Sequence, residues 1–171
     1  SNSINELNMI DEAIDVFSLC SPTQMHEEHL LEIAKFRPKL VFCEKPPTSN
    51  LESSKKINQY FNEAKIPIVV NYSRRWDPSI IELKKHIQKN SYGELCSILG
   101  SYNKGLVNNG SHMLDLLNFL VGPMNLVSCG KPLFDHTPSD PSVPIMLEDS
   151  NNRPIMLNIT DARYYSHFEC S

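Results

Sequence analysis

Short apolar runs alternate with amphipathic segments along the first half of the chain, and this alternation constrains the fold more than any other feature. Residues 13–20, 39–43 and 66–73 have the length and apolar content of buried strands. Between them, segments 24–36 and 50–64 carry apolar residues at helical spacing. Strands that alternate with helices of this length predict parallel βαβ units with right-handed crossovers.

Two of the predicted helices begin with capping signals. Ser49 and Glu52 have the spacing of a capping box at the start of the helix at 50–64. Asp77 followed by Pro78 marks the start of a third helix, because proline suits the first helical position and aspartate suits the position before it.

The second half of the chain has a different pattern. It predicts a strand at 94–103, an amphipathic helix at 111–122, a hairpin with strands at 143–149 and 154–161, and a further strand at 164–170. The inward positions of the predicted helix are Met113, Leu116, Leu117 and Leu120, with Gly122 at its end. We therefore predict two domains, a parallel α/β domain at 1–76 and a mostly antiparallel α+β domain at 77–171.

Charge, hydropathy and cysteine usage exclude several classes of protein. The chain has 16 Lys and Arg residues against 20 Asp and Glu residues and no basic stripe, which argues against a nucleic-acid partner. Its apolar runs are too short to predict a membrane span. The 5 cysteines are odd in number and far apart, which favours reduced thiols in a cytoplasmic protein over disulfides or a metal site.

Polar residues follow each of the three predicted parallel strands. In sheets of this kind ligands bind beyond the carboxyl ends of the strands. Loops there are polar in most proteins, so the feature that stands out is the charged pair Glu44-Lys45 held by two prolines. The candidate residues in these three loops are Ser21, Pro22, Thr23, His26, Glu44, Lys45, Pro46, Asn71 and Arg75.

Three motifs in this order resemble one family. The stretch that ends in "VFCEKPPTS" resembles the second half of the dinucleotide-binding domain of the glucose-fructose oxidoreductase, inositol dehydrogenase and rhizopine-catabolism (Gfo/Idh/MocA) family, whose signature is a strand ending in Glu-Lys-Pro. "VVNYSRRWDP" resembles its interdomain segment, and "NNGSHMLDLLNFLVG" its substrate-domain helix. The resemblance covers residues 11–123 and, more loosely, "YYSHFE". It implies a partial Rossmann-like sheet followed by a substrate domain.

The resemblance also implies a function. The expected reaction is hydride transfer between NAD or NADP and a hydroxyl-bearing carbon of a sugar, nucleotide-sugar or polyol. Lys45 and His112 are the expected catalytic acid/base pair, and Lys45, Asn108 and His112 the expected substrate contacts. The loop candidates named above are the expected cofactor contacts, and the Lys45–Pro46 peptide bond is expected to be cis. Dimerisation through the open face of the second sheet is also implied.

The chain departs from the family pattern in two places. Where the family has Asp-x-Gly-x-His, this sequence has Asn108-x-Gly110-x-His112, and an amide cannot exchange a proton as a carboxylate does. His112 remains a candidate, because the positive end of a helix dipole favours its neutral imidazole.

None of the 6 glycines forms a Gly-x-Gly-x-x-Gly turn. We therefore expect a fragment without the glycine-rich half of the nucleotide domain, inactive by itself. The alternative is a non-catalytic relative that serves as a binding or assembly module.

Overall fold

The computed structural model of the protein describes residues 13–171, so the first 12 residues of the predicted first domain lie outside the described residues. By its internal contacts the chain divides into two compact units, Ser1–Tyr72 and Ser73–Ser171. This division falls slightly before the boundary predicted between residues 76 and 77. The assignment of the units as cofactor and substrate domains stays a prediction.

The first unit is a parallel βαβαβ arrangement. Its three strands pair in the order β1-β2-β3, and both pairs are parallel. This confirms the α/β prediction. The elements are β1 (Val16–Leu19), α1 (Thr23–Lys35), β2 (Leu40–Cys43), α2 (Leu51–Ala64) and β3 (Ile68–Val70).

One apolar core holds this unit together. Val41 and Cys43, on alternate positions of β2, are fully buried against residues from both helices, including Leu30 of α1 and Phe61 of α2. Alternate positions of a strand point to the same face of a sheet, so both helices cover one face. Burial of each large side chain of this kind contributes about 1.5–3 kcal/mol to the free energy of unfolding.

The second unit is built on a five-stranded sheet with the order β10-β4-β9-β8-β5. Only the β4–β9 pair is parallel among these strands, so the prediction of a mostly antiparallel domain is confirmed. The helices and strands are α3 (Pro78–Gln88), β4 (Ile98–Tyr102), α4 (Ser111–Val121), β5 (Met124–Cys129), β6 (Leu133–Thr137), β7 (Asp140–Ser142), β8 (Ile145–Asp149), β9 (Pro154–Ile159) and β10 (Phe168–Cys170). A 3-10 turn (Ser73–Trp76) precedes α3 and a π-helical turn (Leu106–Gly110) precedes α4.

Helix α4 covers one face of this sheet. The four inward positions predicted from the sequence are the buried residues of α4, and Gly122 ends the helix with a φ of 87°. Two of them, Met113 and Leu117, pack with buried residues of the sheet such as Tyr102, Ile155 and Leu157.

The strands β5, β6 and β7 were not predicted. Residues of β5 are mostly exposed, so the strand lacks the apolar alternation that marks a half-buried strand. Strands β6 and β7 form a short separate hairpin, and the prolines Pro138 and Pro141 in it are typical of loops.

Two helix starts can be compared with their predicted caps. The Asp77 carboxylate accepts a hydrogen bond from the backbone N–H of Ser79 at 2.8 Å, which confirms that cap. The capping box on Ser49 is wrong by one residue, because Asn50 is the cap of α2 and its Oδ1 accepts from the N–H of Ser53 at 2.9 Å. Both residues are favoured caps, and only the backbone conformation distinguishes them.

This correction predicts different effects for two neighbouring substitutions. Asn50→Ala removes the side-chain acceptor at the start of α2 and should lower the free energy of unfolding of the first unit by about 1 kcal/mol. Ser49→Ala is the matched control and should change it by less than about 0.5 kcal/mol. Amide hydrogen exchange in α2 measures both, and an equal loss in the two variants would contradict the assigned cap.

Candidate functional site

Glu44, Lys45 and Pro46 follow β2 at the carboxyl edge of the parallel sheet. The Glu44 carboxylate accepts a hydrogen bond from Nδ2 of Asn71 at 2.6 Å and one from the Lys45 N–H at 3.3 Å. The N–H of Asn71 also donates to the carbonyl of Cys43 at 2.8 Å. These bonds connect the end of β2 to the residue that follows β3. The Lys45–Pro46 bond is cis, which confirms that prediction.

His26 lies beneath the same loop. Its side chain is only 1% exposed, with Nδ1 2.9 Å from the carbonyl oxygen of Pro46 and Nε2 2.7 Å from the carbonyl oxygen of Ser21. A direct contact between His26 and a cofactor stays a prediction. In the structure its contacts are internal to the unit.

The other predicted residues of the first loop lie at the start of α1. Oγ of Ser21 lies 2.9 Å from Nδ1 of His29. Pro22 is the residue that precedes α1 and provides no side-chain cap, and Thr23 is the first residue of the helix. Their contacts with a cofactor stay predictions.

Cys43 is a buried thiol of the core. Burial, and to a lesser degree the nearby Glu44 carboxylate, raises the pKa of Cys43 to about 12, so the thiol stays protonated and donates to the Glu44 carbonyl at 3.2 Å. Cys43 is therefore a small core residue of β2 and lacks the thiolate that a nucleophilic cysteine requires.

In the second unit, Asn108 and His112 lie on one continuous helical stretch. The π-helical turn at Leu106–Gly110 passes directly into α4, and Gly110 itself has helical dihedral angles. His112 is the second residue of α4, and the π-helical turn extends the helical stretch by about one turn before it. The backbone amides at the true start are those of Val107 and Asn108, and each donates to the Asp140 carboxylate at 2.8 Å.

A local hydrogen bond explains why position 108 carries an amide and not a carboxylate. Its Nδ2 donates a hydrogen bond to the carbonyl of Lys104 at 3.0 Å. An ionised aspartate has no donor and could not make this bond. Steric crowding explains the glycine at position 110, because a Cβ there would lie 2.8 Å from a ring carbon of the buried Tyr102. The Tyr102 hydroxyl donates to the Val143 carbonyl at 2.6 Å, which fixes the ring.

Arg75 forms an ion pair that the sequence did not predict. Its Nε donates to the Asp115 carboxylate at 2.7 Å, and the terminal nitrogen Nη2 is 2.7 Å from the same group. Asp115 is three residues after His112 on α4, so the two side chains share one side of the helix. This spacing could have marked Asp115 as a neighbour of the candidate His112. The role of Arg75 in cofactor binding stays a prediction.

A buried polar network in the β6–β7 hairpin was also missed. Asp135 is buried and accepts hydrogen bonds from the Ser142 hydroxyl and from the N–H of Lys104, both at 2.8 Å. Burial alone would raise the pKa of Asp135, but these bonds and one from the Ala162 N–H outweigh it and hold the pKa below its usual value. The three polar residues Asp135, Asp140 and Ser142 lie in a proline-rich stretch that resembles a loop in sequence.

Among residues 13–171 no group of three or more His, Cys, Asp or Glu side chains could hold a metal ion. Within the same part of the chain, no helix combines the length and hydropathy that crossing a membrane requires.

Comparison with known proteins finds one family that resembles the first unit. Residues 2–72 match the model described as the oxidoreductase family with an NAD-binding Rossmann fold, Gfo/Idh/MocA. The chain is therefore similar to this family over its first unit. Its fold is shared over nearly its whole length with solved structures. The WlbA dehydrogenase from Bordetella pertussis, in complex with NADH and UDP-GlcNAcA, has a TM-score of 0.81 at 20% identity over 96% of this chain and 56% of that chain.

Curated proteins similar to this chain include inositol dehydrogenases. The scyllo-inositol 2-dehydrogenase (NADP(+)) IolW of Bacillus subtilis is 29% identical over 59% of this chain and 28% of its own length. The inositol 2-dehydrogenase of Paracoccus denitrificans is 37% identical over 45% of this chain and 23% of its own length. The chain thus spans about a quarter of the length of these curated relatives and about half that of the solved structure.

The geometry around Asn108 predicts the effect of a glycine substitution. Gly105 has a φ of 88°, and a Cβ there would overlap the Asp140 carboxylate. Gly93 has a φ of 99° but open space around it. Gly93→Ala should lower the free energy of unfolding of the second unit by about 1–2 kcal/mol, and Gly105→Ala by about 1–3 kcal/mol more.

Urea unfolding of the two variants measures this difference. In the folded fraction of Gly105→Ala, the backbone amide signals of Val107 and Asn108 should also shift, because Asp140 must move. Equal losses of stability, with unchanged amide signals, would contradict the described contact.

Proposed function

We propose that this chain contributes to an NAD(P)-dependent oxidoreductase that transfers a hydride between a nicotinamide and a hydroxyl-bearing carbon of a sugar, nucleotide-sugar or polyol. The observation that carries the proposal is the Glu44-Lys45-Pro46 loop, held from two sides by Asn71 and His26 at the carboxyl edge of the parallel sheet. The names of the family relatives support the substrate class, because they include inositol dehydrogenases and a protein bound to UDP-GlcNAcA.

The residues at this edge fit a nicotinamide dinucleotide. Ribose hydroxyls and a carboxamide need several hydrogen-bond donors and acceptors close together. The loops after β1, β2 and β3 carry a lysine ammonium, hydroxyls and an amide. We propose that Ser21, Pro22, Thr23, His26, Glu44, Lys45, Pro46, Asn71 and Arg75 form or support the cofactor site. Both NAD and NADP remain open as the cofactor.

Lys45 has the central role in this proposal. A bound nicotinamide would supply a hydride acceptor, and the two-electron oxidation of the hydroxyl-bearing carbon to a carbonyl would release the hydroxyl proton to a base. Lys45 holds or moves that proton at Nζ. Proline at position 46 restricts the backbone directly after the lysine. Glu44, bound to Asn71, restricts the backbone directly before it.

The second unit supplies the proposed substrate residues. His112 is the second acid/base group, since an imidazole can accept or donate a proton near neutral pH. Asn108 orients the substrate or His112 without exchanging a proton. A cytoplasmic location also belongs to the proposal, and it is favoured by the free thiols of all 5 cysteines.

A substitution at Lys45 tests the proposal. In the full-length protein, Lys45→Met should lower kcat by about 100-fold or more, because general acid/base groups contribute factors of this size. Turnover is measured with NAD⁺ and NADP⁺ against a panel of inositols, hexoses and nucleotide sugars.

Lys55→Met, which removes an exposed lysine of α2, is the matched control and should leave turnover unchanged. An unchanged rate in Lys45→Met would refute the catalytic role of Lys45. If the unaltered protein binds no NADH or NADPH by fluorescence titration, the binding or assembly module becomes the better account.

We also propose that a second copy of the chain covers the open face of the second sheet. Leu99, Met156 and Met146 form one row across β4, β9 and β8, with exposed fractions of 50%, 46% and 38%. A row of apolar side chains across three neighbouring strands is a typical interaction surface.

This surface predicts a specific change in oligomeric state. The double variant Met146→Glu and Met156→Glu should convert a dimer into a monomer, because carboxylates would be buried without partners. Analytical ultracentrifugation measures the mass. Leu51→Glu, at the exposed start of α2, is the control and should remain dimeric. A monomeric unaltered protein would overturn this proposal.

A further inference from the structure

We infer that His26 is a positioning residue that holds Lys45 in place from inside the first unit, by connecting the loop after β2 to the loop after β1. Its meaning for catalysis rests on the proposed function. The connection itself rests only on contacts within the unit.

The first observation is that His26 contacts both loops through the same ring. Nδ1 lies 2.9 Å from the Pro46 carbonyl oxygen and Nε2 lies 2.7 Å from the Ser21 carbonyl oxygen. With 1% of its side chain exposed, the ring is shielded from water that could replace either contact. A loop that moves away from the ring loses this hydrogen-bonding contact, so both loops are favoured where the ring can reach them.

The second observation is that both partners are acceptors. A backbone carbonyl cannot donate a hydrogen bond, so each contact requires an N–H from the imidazole. A neutral ring has one N–H and a doubly protonated ring has two. A neutral ring can therefore donate to only one of the two carbonyls, and a doubly protonated ring to both.

The third observation is the position of Lys45 between two supported neighbours. On one side, Asn71 holds the Glu44 carboxylate at 2.6 Å from the direction of β3. On the other side, His26 holds the Pro46 carbonyl from the direction of α1. The backbone of Lys45 is therefore restrained before and after the residue, while its side chain remains only half-buried.

Helix α1 gives His26 a rigid base. The ring lies on the same buried side of the helix as Leu30 and Ile33, which belong to the core of the unit. The Cys43 thiol, 3.9 Å from Nδ1, is also close to the ring. Movement of the ring would therefore require movement of the core, which makes it a stable support for two surface loops.

Two variants and a control test this role. His26→Leu removes both ring nitrogens, and His26→Gln restores one donor nitrogen of similar reach. His136→Leu removes an exposed histidine of β6 in the second unit. In each variant, amide hydrogen exchange is measured at Ser21, Thr23, Lys45 and Thr48, and NADH affinity is measured by fluorescence titration.

The expected result is local. In His26→Leu, exchange at these four loop amides should accelerate at least tenfold, while amides in the middle of β2 keep their protection, and the Kd for NADH should rise about tenfold. His26→Gln should lie between His26→Leu and the unaltered protein, and His136→Leu should match the unaltered protein. A merely structural role would instead accelerate exchange throughout the unit.

Each other outcome decides the question. A folded His26→Leu variant with unaltered loop exchange overturns the inference. If the unaltered protein does not bind NADH, the proposed function fails, and loop exchange still decides whether His26 connects the loops. If both variants unfold, the ¹⁵N–¹H spectrum of the unaltered protein decides, since a His26 ring without an exchange-protected N–H would overturn the inference.

Discussion

Parallel pairing of β1, β2 and β3 is the constraint on which the first unit depends. Because the strands run in the same direction, their carboxyl ends meet at one edge, and three loops that are distant in sequence become neighbours. The pairing is held by a core in which β2 is buried against both helices. Without this core, Glu44 and Asn71, which are 27 residues apart, would not meet.

The second unit achieves local order in a different way. A short hairpin presents two carboxylates to the backbone of another segment, so that Asp140 and Asp135 accept hydrogen bonds from the amides between Lys104 and Asn108. These bonds define where the helical stretch with Asn108 and His112 begins. In the second unit, therefore, polar residues outside the predicted set hold the segment that carries the candidate residues. In the first unit the loop after β2 is held by His26 and Asn71, which are themselves candidates.

The match between sequence and structure differs from element to element. The four buried positions of α4 follow from helical spacing alone, because packing of an amphipathic helix onto a sheet requires that pattern. Strand β5 could not be predicted from apolar alternation, because it lies at the edge of its sheet and most of its residues are exposed. The cap of α2 was displaced by one residue, because Ser49 and Asn50 have similar preferences and the backbone conformation at Asn50 sets where the first turn begins.

The sequence by itself determined the alternation of strands and helices, the family motif that ends in Glu44-Lys45-Pro46, and the pattern Asn108-x-Gly110-x-His112. These are properties of local spacing and residue chemistry. Only the tertiary structure decided the role of His26, the pairing of Arg75 with Asp115, and the network around Asp135 and Asp140 (the last two outside any sequence motif). Each of these depends on hydrogen bonds between atoms that are brought together by folding, and no pattern of neighbouring residues encodes that proximity.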